Sequence, residues 1–358
     1  MGIRLYLAPP FAPQKPTIRI VRTHATKNER NEALLFKGLP KDWNLDAITF
    51  TSQLEEADAV LVPQAMKRPS EAWSRYFESV YTQAQSVGKP TYLFIGGDLA
   101  HKTHVRREHV VAFKGTEYRK SIEPNEIIFP GYVEDLGEGR EVSIRKKSAK
   151  AIIGFCGYAG FPNTKTKVRY WVKNFLLDAL AFITRDAHHL VYKRGIYFRR
   201  WAMEVLRRDA RVETNFIIRD SFGGNAATTK VDPAQARAEY IQNMLDSDFV
   251  LAPKGDGNYS ARFYEALSLG RIPILIDTDM VLPLESTLDY SKFILRVPHT
   301  EVHRLGAIVH DFYATLTHES FADMQRAARK AFAERLRYDR FFAEVLPALK
   351  GTMPPNAA

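Results

Sequence analysis

The stretch SDFVLAPKGDGNYSARFYEALSLGRIPILIDTDMVLPLESTLD, Ser247 to Asp289, decides the fold. Phe249 to Ala252 is an apolar run of strand length closed by Pro253, and Lys254-Gly255-Asp256-Gly257-Asn258 follows as a loop whose amides can turn towards a ligand. From Ser260 to Leu269 the apolar side chains Phe263, Ala266 and Leu267 recur at helical spacing, and Gly270 is a natural stop. Ile272 to Ile276 is short, β-branched and bounded by turn residues, which reads as a second buried strand. Strand, helix and strand at these lengths form a βαβ unit, and that unit requires a parallel sheet. Ligands bind such sheets outside the carboxyl ends of the strands, so the glycine loop is a candidate phosphate site.

Two residues of the helix sharpen this. Arg262 falls in the first turn, where a cation opposes the helix dipole at a cost of about 0.3–1 kcal/mol. Glu265 lies three residues on and shares its face. Spacing alone leaves two readings open. One is an Arg262–Glu265 surface pair over a structural turn. In the other, Arg262 and the loop amides hold a diphosphate while Glu265 accepts two ribose hydroxyls.

The string P-K-G-D-G-x-x-S-x-R-x-x-E-A-x-x-x-G-x-I-P-x-x-I, from Pro253 to Ile276, followed by Leu282-Pro283 and by Asp289-Tyr290 with Phe293, resembles the exostosin family of glycosyltransferases. The likeness extends more loosely into the first half, through Glu55 to Pro63 and Asn125 to Gly131. The resemblance implies an α/β fold of GT-B type, two Rossmann-like domains facing a central cleft, a nucleotide-sugar donor (usually UDP-linked) and inversion at the anomeric carbon. On that reading Lys254, Gly255, Asp256, Gly257, Ser260 and Arg262 bind the donor diphosphate and Glu265 the ribose.

At 358 residues the chain holds two domains of ordinary size. The charged segment Val133 to Lys150 reads as a linker, which divides the chain into an acceptor-side domain (1–148) and a donor-binding domain (149–316). A C-terminal segment (317–358) is expected to return to the first domain. Its helix is read from Ser320 to Arg337, with Phe321, Met324, Ala328, Phe332 and Leu336 on one side. Ile3 to Leu7, Thr91 to Ile95 and Ala151 to Phe155 read as further strands, Trp73 to Val87 as a helix, and Asp232-Pro233-Ala234-Gln235 as a helix start. One cysteine, Cys156, excludes an internal disulfide and fits a reducing compartment. The opening residues lack the apolar core of a signal peptide, and no stretch approaches membrane-span length. The expectation is a cytoplasmic protein, with peripheral contact to an anionic membrane.

The net charge of +10 asks for an anionic partner. The donor diphosphate, an oligosaccharide or lipid-linked glycan acceptor and lipid headgroups all qualify. Dispersed cations and the absence of a recognised module argue against nucleic acid. His188 to Arg211 is the most basic stretch and reads as a solvated helical face. The resemblance also admits a homo- or hetero-dimer, since exostosin-type proteins can work in pairs.

Inverting transfer needs a base to deprotonate the acceptor hydroxyl. Asp98, after the Thr91–Ile95 strand, resembles an aspartate of the family's G-x-D-H-type turn, and His101 is the second catalytic candidate. Asp277-Thr278-Asp279 has the look of a metal-binding D-x-D string but follows a donor loop of GT-B type, so no metal and no cofactor are expected. Gly160 to Thr166 mimics a P-loop, yet Thr164 stands where the glycine before the lysine belongs, which excludes an NTPase. The resulting reading is an inverting transferase acting in bacterial-type surface polysaccharide or glycolipid synthesis. Its alternatives are a GDP-sugar fucosyltransferase-like enzyme and an inactive sugar- or nucleotide-binding partner subunit.

Overall fold

Eleven strands among the described residues fall into two sheets, and every pairing within them is parallel. The computed structural model describes residues 2–21, 43–67, 69–161, 163–219 and 232–351. In the first sheet β1 (Ile3–Leu7), β2 (Ile48–Thr51), β3 (Ala59–Leu61), β4 (Thr91–Ile95), β5 (Val110–Lys114) and β6 (Glu126–Ile128) lie in the order β2-β1-β3-β4-β5-β6. In the second, β7 (Ile152–Tyr158), β8 (Glu213–Arg219), β9 (Phe249–Leu251), β10 (Ile272–Asp277) and β11 (Leu295–Pro298) lie in the order β11-β10-β9-β7-β8. Numbered from its own first strand, the second sheet has the doubly wound order 2-1-3-4-5, and its direction of winding reverses between β7 and β9. A crevice opens at that reversal, outside the carboxyl ends of the two strands.

Parallel strands buried on both faces carry apolar side chains at nearly every position. β4, TYLFI, and β9, FVL, are buried throughout. One face of the first sheet is covered by α1 (Glu71–Ser86), which offers Trp73, Phe77, Val80 and Ala84. The other face is covered from the far end of the chain: α8 (Tyr338–Ala348) sets Phe342 5.4 Å from Phe94 and 5.6 Å from Phe113, centroid to centroid. The second sheet packs on α3 (Gly195–Arg208) and α6 (Leu305–Thr315) on one side. α4 (Pro233–Leu245) and α5 (Ala261–Ser268) close the other, with Ile241, Met244, Ala266 and Leu269 against Val250.

Three elements depart from the sequence reading. The long C-terminal helix is α-helical as α7 only from His318 to Ala331, opened by a Thr317–Ser320 capping box. It widens to a π-turn over Phe332–Leu336, and Arg337 is extended, which redirects the chain on to the first sheet. The basic stretch does not form a simple solvated face: Lys193 is buried, and Arg199 and Arg200 donate to the carbonyls of Tyr158 and Ala159. A helix absent from the reading, α2 (Thr164–Thr184), begins inside the P-loop-like string, where Asn163 caps it by accepting from the Thr166 amide at 2.8 Å. Pro162 of that string lies outside the described residues.

The linker is docked. Arg145 donates to Asp248 at 2.8 Å, and the fully buried Asp248 also receives the Ile152 amide at 2.9 Å.

Candidate functional site

The loop between β9 and α5 is held from four sides. From the helix side, a Cβ on Gly195, the first residue of α3, would lie 2.1 Å from the Lys254 carbonyl oxygen, so only glycine lets α3 approach. From the first domain, a Cβ on Gly257 would lie 3.1 Å from Asp98 Cα and carbonyl oxygen, which puts the Asp98 turn directly against the loop. Asn258, fully buried, donates to the carbonyls of Glu117 (3.1 Å) and Thr278 (3.2 Å) and accepts from the Thr278 hydroxyl (2.6 Å). Lys254, 2% exposed, donates to the Val191 carbonyl at 2.5 Å and to the Tyr118 hydroxyl at 3.2 Å. Burial, with Lys173 adding to it, pulls the Lys254 ammonium down to about 7.

The remaining loop residues divide between inward and outward roles. The Gly255 amide closes the loop on the Tyr259 carbonyl at 2.8 Å. Asp256 points outward and takes a two-oxygen grip from Arg194, at 2.9 and 3.0 Å from Nη2. Ser260 is the N-cap of α5 and is buried, but its hydroxyl makes no capping bond.

Arg262 and Glu265 are not a surface pair. Arg262 lies with its guanidinium 4.1 Å from the Phe155 ring centroid and donates to the Cys156 carbonyl at 2.8 Å, while its Nε is buried without a partner. Gly157, at the end of β7, makes room: a Cβ there would meet Arg262 Nη2 at 2.7 Å. Glu265 is buried and accepts from the Tyr240 hydroxyl of α4 at 2.5 Å. Burial pushes the Glu265 carboxyl up against the opposing pull of Tyr240 and Arg262. An arginine, a tyrosine and a glutamate thus line the crevice between β7 and β9, beside the N-terminus of α5.

Across the seam lie the two candidate bases. Asp98 is exposed at the end of β4, and its carboxyl is pushed up by partial desolvation and by the charge of Asp256. His101 stands edge-on to Tyr118 at 5.1 Å, with a buried Nδ1 that has no partner. Burial and three lysines lower its imidazole to about 4, so it is neutral at pH 7.

The other polar clusters have protein partners. Asp277 accepts from the Met280 amide at 2.9 Å and from Arg296 at 2.7 Å, and Asp279 from the Lys120 amide at 3.1 Å. The D-T-D string therefore caps a turn and docks the two domains. There Tyr118 bridges Met280 in antiparallel fashion, and Arg119 donates to the Asp279 carbonyl at 2.8 Å. His104, Glu117 and Glu126 place one ligand atom each within 4.8 Å of one another. The Lys114 ammonium is bound to both of these glutamates, taking the place a metal cation would need. Cys156 is buried, with its thiol pushed up by desolvation.

Sequence reasoning missed Tyr118, Tyr240 and Gly195, and it placed Asn258 in the loop and Arg194 in the basic stretch without giving either a role of its own. Asn258 follows two glycines of the loop and Gly195 opens a helix, local signals that could have been followed. Nothing local marks Tyr118 or Tyr240.

The two Rossmann-like domains, with a glycine loop and a basic helix start at the reversal point of the second sheet, define a GT-B architecture. Residues 206–312 match the Exostosin GT47 domain. Among curated proteins it is 28% identical over 124 residues to "Probable glucuronosyltransferase 47 A" of Physcomitrium patens, covering 33% of this chain and 27% of that one. It is 33% identical over 105 residues to "Probable glucuronoxylan glucuronosyltransferase IRX7" of Arabidopsis thaliana, covering 29% of this chain and 22% of that one. The chain thus spans about a quarter of the length of the curated relatives it matches. Among solved structures, an "alpha-glucosyltransferase in complex with UDP and a 13-mer DNA containing a HMU base" aligns over 98% of this chain and 100% of that one, at 10% identity and a TM-score of 0.41. No helix among the described residues is long and apolar enough to cross a membrane.

Proposed function

We propose that the protein is an inverting glycosyltransferase that moves a sugar from a UDP-type nucleotide-sugar to a glycan hydroxyl. The observation that carries this reading is the Arg262–Tyr240–Glu265 group at the β7/β9 crevice with the Asp98 turn packed against the same loop. The donor diphosphate sits at the N-terminus of α5, where Arg262, the Ser260 hydroxyl and the loop take its charge. Lys254 lies behind the loop and ties it to the Val191 carbonyl and the Tyr118 hydroxyl. Glu265, oriented by Tyr240, keeps an oxygen for the ribose.

Asp98 is the base. Partial desolvation and the charge of Asp256 raise its carboxyl and so strengthen it as a proton acceptor, while burial and three lysines weaken the His101 imidazole. It removes the acceptor proton as the acceptor oxygen bonds to the anomeric carbon from the face opposite the diphosphate. The bond from that carbon to the diphosphate oxygen breaks, and Arg262 and the helix terminus hold the departing charge. No metal is assigned, since Asp277 and Asp279 are committed to protein donors. The acceptor is a growing surface polysaccharide or lipid-linked oligosaccharide, a setting that suits a basic protein.

Calorimetric titration with UDP and with GDP, each with and without magnesium, tests the donor assignment. Tight, metal-independent UDP binding that is lost in Glu265→Ala supports it. Preference for GDP replaces the donor with a GDP-sugar, and binding of neither nucleotide overturns the reading.

A further inference from the structure

α2 is the least buried long helix among the described residues. Over 21 residues only Tyr170 and Asn174 are buried, and the attached stripe runs through Thr166, Tyr170, Asn174, Leu177 and Ala181. The rest of the surface is strongly apolar. Trp171 is 60% exposed, Phe175 71%, Phe182 86% and Ile183 77%, and Val168, Val172 and Leu176 are each more than half exposed. These positions recur at spacings of three and four, so they form one continuous face pointing away from the protein. Scattered exposed apolar residues need no explanation, whereas seven large ones in one stripe mark a binding surface.

The charges identify the occupant. The helix carries Lys165, Lys167, Arg169 and Lys173 and a single acid, Asp178. That acid is already neutralised by Lys193 at 2.5 Å. An apolar stripe with a cationic margin is the composition of a helix lying in the plane of an anionic lipid interface. A second copy fits less well, because a two-fold contact would bring the same cationic margins together. We infer that α2 docks the protein on an anionic membrane, with Trp171, Phe175, Phe182 and Ile183 in the acyl–headgroup boundary and Lys167, Arg169 and Lys173 at the phosphates. Lys173 also faces Arg194 and Asp256, so the docked helix stands beside the donor loop. The surface needs no assumption about the transferase reaction.

Vesicle co-sedimentation of the whole chain tests this. Phosphatidylglycerol-containing vesicles are expected to capture the protein and neutral phosphatidylcholine vesicles to capture about tenfold less or lower, with capture weakening as salt rises. Bound protein shows a blue-shifted emission that Trp171→Phe removes. Phe175→Ser with Phe182→Ser, both on the exposed face and so compatible with folding, lowers partitioning about tenfold or more. Lys167→Glu with Lys173→Glu abolishes the preference for anionic lipid. No capture, or equal capture by neutral vesicles, overturns the proposal. So does a concentration-dependent dimer in the ultracentrifuge that Phe175→Ser dissociates, since the face then pairs copies of the chain.

Discussion

α5 and α2 leave neighbouring strands of one sheet, on the two sides of the same reversal point, and end in opposite environments. From Phe263 to Ser268 every residue of α5 is buried, including Glu265. α2 follows β7 and buries two residues in twenty-one. Their compositions do not foretell this: α2 has the larger share of big apolar side chains. α5 is short and lies against its own βαβ unit, with α7 and the first domain over it. α2 is long and packs chiefly on the turn Ala187–Tyr192 that follows it, so most of its apolar face meets nothing among the described residues. Apolar periodicity reports that a helix has a face to cover, and the tertiary arrangement decides what covers it.

The contrast yields predictions of decreasing size. Phe263→Ala in α5 is expected to cost about 3–5 kcal/mol in chemical denaturation, because its ring is fully buried against Tyr264 and Tyr290. Asp98→Asn should leave nucleotide affinity and the unfolding midpoint in place while lowering sugar transfer about 10²–10⁴-fold, as loss of a general base does. Normal turnover would return the role to His101 or to another group.

Lys254 supplies a pH test of the loop. Its folded-state pKa, about 7, lies below the ordinary lysine value of 10.5. Between these values the unfolded chain binds the proton and the folded chain does not, so stability rises with pH. Wild type should gain stability relative to Lys254→Met from pH 7 upward, with a slope approaching about 1.4 kcal/mol per pH unit. A flat difference would mean that the ammonium stays charged in place. Asp256→Asn should move the acid limb of the activity profile downward, since the Asp256 charge is one cause of the raised Asp98 carboxyl. Phe175→Ala on α2 should change the unfolding free energy by about 0.5 kcal/mol or less in the absence of lipid, a small effect that separates this helix from α5.

Much of the second half was legible along the chain. Phe249 to Asp277 announces itself locally: an apolar run, a glycine loop, a short amphipathic helix and a β-branched run each follow from a few consecutive residues. The cap at Asp232, which was read, and those at Asn163 and Thr317, which were not, are equally local, since each side chain accepts from an amide three positions on. The network around Arg262 and Glu265 was only half legible. Their shared face follows from helical spacing, but Tyr240 reaches them from twenty-five positions before Glu265, and Gly157 yields from another strand.

By itself the sequence determined the βαβ unit, the parallel sheet it demands, the place of the glycine loop at a strand end and the likeness to exostosin transferases. The first three rest on contacts between neighbours, whose geometry is set by 3.6-residue and two-residue periods, and the likeness rests on the residues of the Pro253 to Ile276 string themselves. Only the tertiary structure decided that Lys254 is buried under Tyr118, 136 positions away, that Lys114 binds both Glu117 and Glu126, and that α2 stands uncovered among the described residues. Burial and charge pairing depend on which distant segments meet, and the sum of many weak packing terms across two sheets sets that meeting.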